Sequence, residues 1–152
     1  MYKMITVGGK DYKIEFSIEA SLYKDCADSV LNTMSAAESD ISEMQISAMA
    51  SLPITVLNMF HAGLLEHHGF EGDGSVKSII DSKKILKDYM KENDADFNSV
   101  SNMLMKQMSE DGFFKLIGLD IEMNEQTETE SKIAEIPQDH KRKTSKAKPS
   151  EN

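Results

Sequence analysis

Three of the four histidines in this 152-residue chain lie in one short stretch, FHAGLLEHHG, which ends at Gly69. A zinc-binding helix of the metalloprotease kind places two histidines four residues apart, so that both reach one ion from the same face. His61 and His67 are six residues apart and lie on different faces. His61 and His68 share a face, but they are about 10 Å apart along the helix axis. With no Cys or Asp cluster nearby to complete a ligand shell, we expect no metal site here.

The same stretch is typical of a helix C-terminus. Gly69 suits the left-handed position after the last helical residue, and Phe70 would then fold back on the last turn. His67 and His68 would lie in that turn, where the helix dipole favours partial positive charge. The sequence thus predicts a capped helix end rather than part of an active site.

Other short motifs also lack a catalytic or ligand-binding pattern. The GGK tripeptide after Val7 does not have the spacing of a phosphate-binding loop. Asp94 and Asp96 start a calcium-loop pattern, but glycine is missing at its sixth position and Met105 replaces the bidentate glutamate at its twelfth. No Ser/His/Asp order is compelling when all but one histidine belong to the helix end. We therefore expect no catalytic residue, no metal and no cofactor.

Composition and charge exclude several further classes of protein. The net charge of −9 argues against a dedicated nucleic-acid binder, which normally has a basic face. No run of about 20 apolar residues is present to span a membrane, and the first residues lack a signal-peptide core. The single Cys26 excludes an internal disulfide and is expected to be a buried structural thiol. We expect no membrane partner and a cytosolic location.

The N-terminus has the pattern of a β-hairpin. The β-prone runs Lys3–Val7 and Asp11–Phe16 flank a turn of Gly-Gly-Lys. In the second run Tyr12, Ile14 and Phe16 share one face. Because two strands alone are marginal in water, this face must pack on helices.

Helical periodicity and capping residues then predict about five helices. The expected bounds are Ser17 to about Ala36, Asp40 or Ser42 to Met49, Pro53 to the histidine stretch, Ser75 to about Glu92, and Asp96 to about Gly112, followed by the apolar cluster FFKLIGL. The third helix is the most hydrophobic and is expected to be central. The predicted fold is mainly α, with an N-terminal two-stranded β-hairpin packed on a compact bundle of about five helices.

Apolar residues at helical spacing predict which side chains face the core. In chain order they are Leu22, Tyr23, Cys26, Ala27, Val30 and Met34; Ile41, Met44, Ala48 and Met49; Leu52, Val56, Leu57, Phe60 and Leu64; Ile79, Ile80, Ile85 or Leu86, and Met90; and Phe97, Val100, Leu104 and Met108.

The character of the sequence changes at Asp120. Residues 120–136 carry six acids and one base, residues 137–152 have a net charge of +3, and neither block contains an aromatic residue. Such a segment cannot bury enough apolar area to offset the entropy of ordering it. We predict a folded domain over residues 1–119 and a disordered charged tail over residues 120–152. The basic block is too short, and too poor in aromatics, to indicate nucleic-acid binding.

Methionine is abundant, and three of the eleven methionines cluster on the fifth predicted helix. Methionine suits adaptable binding surfaces because its thioether chain is flexible and polarizable, although such residues are more often simply core. Met105 lies off the apolar stripe of that helix and is expected to be exposed. The predicted partner-binding residues are Met103, Met105, Met108, Phe113 and Phe114.

Four segments carry a resemblance to a known family. They are the hairpin opening ITVGGKDYKIEFSIEA, the central helix LPITVLNMFHAGLLEHH, the helix end DYMKEND, and LMKQMSEDGFFKLIG. In the central helix the matching positions are Leu57, Met59, Phe60, Ala62, Gly63, Leu64, His67 and His68. Over residues 3–118 the chain resembles the tail assembly chaperones of long-tailed bacteriophages, particularly phages of Gram-positive hosts.

The resemblance implies a role in assembly and no enzymatic activity. Such chaperones bind the long, helical, apolar tape-measure protein in the host bacterial cytoplasm, keep it soluble and help recruit subunits of the major tail-tube protein. They are usually missing from the finished virion. In many of these phages a programmed frameshift makes a longer product, and this chain is expected to be the shorter form. The longer form and other copies of this chain are further expected partners.

Two alternatives stay open. The first is a small structural virion component, such as a tail or head–tail connector protein. The second is a small metal-dependent enzyme built on His61, His67 and His68. No catalytic pattern favours the enzyme, and a binding or assembly role is the class that the sequence supports better.

Overall fold

The structure is a computed structural model that describes residues 1–38 and 43–119. In this part of the chain a β-hairpin precedes six helices, so the predicted mainly α fold with an N-terminal hairpin is confirmed. The elements are β1 (Lys3–Val7), β2 (Lys10–Ile14), α1 (Ile18–Leu22), α2 (Lys24–Glu38), α3 (Glu43–His68), α4 (Ile79–Glu92), α5 (Phe97–Glu110) and α6 (Phe113–Leu116). The predicted disordered tail, residues 120–152, lies outside the described residues.

The hairpin turn is one residue tighter than predicted. Lys10 pairs with Val7 as the first residue of β2, so only Gly8 and Gly9 form the turn. Their φ angles of 58° and 76° lie in the left-handed region that glycine adopts without strain, as a type I′ turn requires. The Gly8 N–H donates to the carboxylate of Glu92 at 2.9 Å, which ties the turn to the end of α4.

The second strand ends at Ile14, two residues earlier than predicted. The N–H of Glu15 donates to the carbonyl of Gly63 in α3 at 2.9 Å and so leaves the strand ladder. The predicted apolar face is nevertheless confirmed, because Ile14 and Phe16 are buried and Tyr12 is half-buried. That face packs on α3, as expected for a sheet of two strands.

The predicted first helix is divided into two. It begins after Ser17 as expected, but Tyr23 has an extended conformation and separates α1 from α2. The break places the Tyr23 ring edge-on to His61, with the ring centres 5.0 Å apart. Leu22 faces solvent, so its prediction as a core residue was wrong, whereas Cys26 is buried and its burial raises the pKa of the thiol to about 12.

The predicted second and third helices form one continuous helix. α3 has Pro53 in its interior, so the prediction that Pro53 begins a helix was wrong. No glycine interrupts residues 43–52, and a proline costs the helix one hydrogen bond and some steric strain without necessarily ending it. Met49 is 72% exposed, contrary to its predicted inward position. Residue Ile41 and the side chains of Met44 and Ala48 lie outside the described part of the structure.

α4 begins three residues later than predicted. Ser78, rather than Ser75, is the N-cap, and its N–H donates to the Asp81 carboxylate at 3.0 Å. Leu86 is buried as expected. Ile80 is 73% exposed, so its prediction as an inward-facing residue was wrong.

α5 begins where the sequence predicts. The carboxylate of Asp96 accepts the N–H of Ser99 at 2.7 Å, and the Ser99 hydroxyl accepts the N–H of Asp96 in return. This reciprocal capping satisfies two of the amide groups that a helix start leaves free. Gly112, with φ at 70°, then turns the chain into α6.

The core is built around the C-terminal half of α3, as predicted for the most hydrophobic helix. Val56, Met59, Phe60, Ala62 and Leu64 are fully buried. The hairpin, α1, α2, α4 and α5 all contact α3. Among the helices that the structure describes, none combines the length and the apolar composition that a membrane crossing requires.

Candidate partner-binding surface

The end of α3 and the segment leaving β2 are joined by a row of polar contacts. Three alternate residues of the segment bond to three consecutive side chains of the helix, in reverse order. The pairs are Lys13 with His68, Glu15 with His67, and Ser17 with Glu66. We call this row the helix–hairpin clasp. The clasp gives each side chain of the Glu66-His67-His68 sequence a hydrogen-bond partner within the protein.

Within the clasp, His68 has a defined tautomer. The backbone N–H of Lys13 donates to His68 Nε2 at 2.9 Å, so Nε2 carries no proton. His68 Nδ1 lies 2.9 Å from Asp73 Oδ2 and donates to it. Hydrogen bonds from Ser75, and then the contact with His68, lower the pKa of Asp73 to about 2. His68 therefore links the hairpin, α3 and the loop after α3.

His61 has different partners from the other two histidines. Its Nδ1 lies 2.8 Å from the Ser82 hydroxyl of α4, and its ring contacts Tyr23. Burial lowers the pKa of His61. In the part of the chain that the structure describes, no group of three His, Cys, Asp or Glu side chains is arranged to hold a metal ion. Ring nitrogens of His61, His67 and His68 form hydrogen bonds that join α3 to neighbouring parts of the fold.

The helix end itself differs from the predicted cap. Gly69 is not left-handed, and its N–H continues the helix by donating to the Leu65 carbonyl at 2.9 Å. A Cβ at Gly69 would lie 2.4 Å from that oxygen, so glycine is needed for a close approach rather than for a left-handed turn. Phe70 is fully exposed and does not fold back. N–H groups of the following loop cap the carbonyls of the last two helical residues instead.

The five predicted partner-binding residues divide between core and surface. Met108 and Phe113 are fully buried and Phe114 is nearly so, and all three belong to the hydrophobic core. Met103 and Met105 are half-buried. In this structure only the latter two present much surface, and partner binding by any of the five stays a prediction.

An apolar surface that the sequence analysis missed lies on α3. Ile46, Met49, Pro53 and Leu57 follow a spacing of i, i+3, i+7 and i+11, which places them on one face of the helix. With Ile54 they form what we call the α3 stripe, about 17 Å long at the rise of an α-helix. Ile46 and Met49 are more than two-thirds exposed. Exposed apolar residues that share one face are more informative than isolated ones, because large contiguous apolar patches are rare on monomeric proteins.

The C-terminal end of the α3 stripe opens into a groove between α3 and α4. The groove has a volume of about 530 Å³, within the range of ligand-binding pockets. We call it the α3/α4 groove, and its apolar floor is formed by Pro53, Ile54, Leu57, Leu86, Met90 and Phe97. Its lining includes no carboxylate, imidazole or thiol, and its charged groups are lysine ammonium groups.

One rim of the groove is cationic. Lys83, Lys87 and Lys91 line it at intervals of one helical turn, and together they span about 12 Å. All three are exposed. Over residues 1–38 and 43–119, none of their ammonium groups forms an ion pair with the protein. The groove therefore presents an apolar floor beside three lysines that form no ion pair with any described residue.

Comparison of this chain with protein-family models, with curated proteins and with solved structures found no match. Function must therefore be inferred from the surface itself. That surface consists of the α3 stripe, the α3/α4 groove and the lysine row.

Proposed function

We propose that this protein is a tail assembly chaperone of the kind found in long-tailed bacteriophages. It binds the tape-measure protein and keeps it soluble in the host bacterial cytoplasm, and it helps recruit tail-tube subunits during assembly. The role is not catalytic. The observation that carries the proposal is the apolar surface left open along α3, continuous from Ile46 to the α3/α4 groove.

A chaperone of this kind needs apolar surface that is not consumed by its own folding. The C-terminal half of α3 is enclosed by the hairpin and its neighbouring helices, whereas the α3 stripe is exposed. Met49 and Met90 belong to this surface, and their flexible thioether chains adapt to varied partner side chains. The net charge of −9 favours solubility despite the exposed apolar residues.

The residues that carry the family resemblance belong mostly to the folded core and its contacts with the hairpin, rather than to the exposed apolar surface. Gly63, His67 and His68 carry part of that resemblance, and all three contact the hairpin or the segment that follows it. The matching residues Met59, Phe60 and Leu64 are core. The shared pattern thus concerns how a hairpin is held on a central helix, and the client-binding role rests on the exposed residues.

Other copies of this chain and a longer frameshifted form are part of the same proposal. Several copies along a rod-shaped client would bind with avidity that exceeds the affinity of a single contact. The longer form would share the folded region and add a segment that engages the tail-tube protein.

Co-expression with the tape-measure protein encoded near this gene tests the proposal. We expect the tape-measure protein to move into the soluble fraction and to co-purify with this chain at more than one copy per client. A client that stays equally insoluble, with no complex recovered, would contradict the proposal.

Mass spectrometry of purified particles tests the alternative of a structural virion protein. The proposal expects the chain to be absent or far below stoichiometric amounts in mature virions. A stoichiometric band would favour the structural alternative. A long tape-measure gene immediately downstream, with an overlapping reading frame at the end of this gene, would support the chaperone.

A further inference from the structure

We infer that the α3/α4 groove binds an amphipathic helix of the partner protein, with carboxylates along one flank of the helix's apolar stripe. The inference rests on the proposed function in one respect, since it takes the helical tape-measure protein as the natural source of that helix. It adds the chemistry by which the partner is recognised. The lysine row selects for acidic residues on the partner helix, and the apolar floor provides most of the affinity.

The walls of the groove favour a helix as the occupant. Both walls are α-helices, so the groove offers no strand edge to an extended peptide. A segment that enters an apolar groove must satisfy its own backbone groups, and a helix does so. The α3 stripe, at about 17 Å, matches about three turns of a docked helix.

The lysine row favours acidic residues on that helix. Lys83, Lys87 and Lys91 recur at i, i+4 and i+8 of α4, so a helix lying alongside meets them with residues at the same spacing. Carboxylates at those positions would form the ion pairs that no residue in the described part of the chain forms with these lysines. The folded region, residues 1–119, is acidic overall despite these lysines, and elsewhere on it such a helix would meet mainly like charge.

Two other occupants fit the groove less well. A second copy bound through the same face by two-fold symmetry would bring two lysine rows together, and like charges would repel. An anionic amphiphile such as a fatty acid has a single headgroup and would use one cation, whereas three cations are spaced along the rim. The repeated spacing therefore favours a polypeptide helix.

Fluorescence anisotropy with labelled model peptides tests the inference on the full chain. Two helical peptides share the same leucine stripe and differ only in its flanking residues, which are glutamates in one and lysines in the other. We expect the acidic peptide to bind about tenfold or more tightly than the basic peptide, with a preference that weakens as salt increases.

Matched variants locate the binding site. Lys83→Glu, Lys87→Glu and Lys91→Glu together are expected to reverse the preference between the peptides, whereas Lys84→Glu on the same helix should retain it. Ile54→Asp is expected to weaken the binding of both peptides about tenfold. Ile80 is exposed outside the groove, so Ile80→Asp should weaken the binding of neither peptide. Far-UV circular dichroism confirms that each variant is folded.

Three outcomes would overturn the inference. They are equal binding of the two peptides, equal effects of the groove and control variants, and binding that appears only after the acids of residues 120–136 are replaced by amides. The last outcome would mean that the chain's own acidic segment occupies the groove.

The client co-expression test separates this inference from the proposed function. If the triple variant Lys83→Glu, Lys87→Glu and Lys91→Glu keeps the client as soluble as the native chain does, the groove inference is contradicted and the chaperone function stands. Selective peptide binding without any solubilisation of the client would support the groove inference and contradict the chaperone function.

Discussion

His68 connects three parts of the molecule through the two nitrogens of one ring. Nε2 accepts the N–H of Lys13, and Nδ1 donates to Asp73 in the loop after α3. The side chain is only 7% exposed, so neither bond can be replaced easily by water. His67, its neighbour in the clasp, is about a quarter exposed and contacts Glu15 at 2.6 Å.

This difference in burial predicts a difference in stability between two adjacent alanine variants. His68→Ala leaves the Lys13 N–H without its acceptor and is expected to lower the free energy of unfolding by about 2–3 kcal/mol. His67→Ala breaks a contact whose two side chains are each about a quarter exposed, and it is expected to cost at most about 1 kcal/mol. Urea unfolding followed by circular dichroism measures both. Equal losses would contradict the larger contribution expected of His68.

His61 makes stability depend on pH. Its folded-state pKa is lowered by burial, so below about pH 6.5 the unfolded chain binds a proton that the folded chain does not. The stabilising contribution is thus fully present above the unfolded-state pKa and is lost as the pH falls below it. We expect the urea midpoint to fall more between about pH 7.5 and about pH 5.5 in the native chain than in His61→Gln. The same fall in both proteins would exclude His61 as the source.

Gly63 allows the hairpin to approach α3. A Cβ at this position would lie 2.7 Å from Ile14 Cγ2 and 3.1 Å from the Phe16 ring, and both side chains are buried. Gly63→Ala is therefore expected to destabilise the fold by about 1–3 kcal/mol through overpacking. At an open helical position the same change stabilises by up to about 1 kcal/mol, so the sign of the effect is decisive. Thermal unfolding measures it, and a raised melting temperature would contradict the close contact.

At the scale of elements, local chemistry explains what the sequence could predict. The glycine turn and the Asp96 cap depend on residues within a few positions of each other; the cap lies where it was predicted, and the turn differs from its prediction by one residue. The break at Tyr23 accompanies a contact with the distant His61, and no local signal near Tyr23 indicates it. Pro53 is ambiguous for a related reason, since the same residue type is compatible with a helix start and with an interior position that neighbouring helices support.

The interior position of Pro53 leads to a test of α3 as a single helix. Pro53→Ala restores an N–H that donates to the Met49 carbonyl and removes a steric clash within the helix. Because residue 53 is exposed, alanine fits without rearrangement. We expect the free energy of unfolding to rise by about 1–3 kcal/mol, measured by urea denaturation. A loss of stability would instead show that packing around α3 requires the distortion caused by proline.

The candidate surface was less predictable than the fold. Periodicity identifies an apolar face but not what covers it, so Met49 and Ile80 were assigned to the core although both are exposed. The reverse happened at Phe113 and Phe114, which were chosen as binding residues and lie in the core, and Met108, which was predicted in both roles, is a core residue. The regular spacing of the lysines on α4 can be read from the sequence. That they line a groove follows only from the packing of α4 beside α3.

At the scale of the whole molecule, stability and binding use different parts of α3. Its C-terminal half is buried and holds the hairpin, and its N-terminal half carries exposed apolar residues. A change on the α3 stripe should therefore impair client binding without unfolding the protein. This separation makes the proposed chaperone role testable by single substitutions.

The decisive measurement is the soluble fraction of the tape-measure protein when it is co-expressed with matched variants of this chain. Met49→Asp and Ile54→Asp place a charge on the exposed α3 stripe, and Ile80→Asp places the same charge at an exposed apolar residue elsewhere. We expect the native chain and Ile80→Asp to keep the client soluble, and the two stripe variants to lose most of that effect while remaining folded. Equal solubility with all four proteins, or with none, would contradict a client-binding role for this surface.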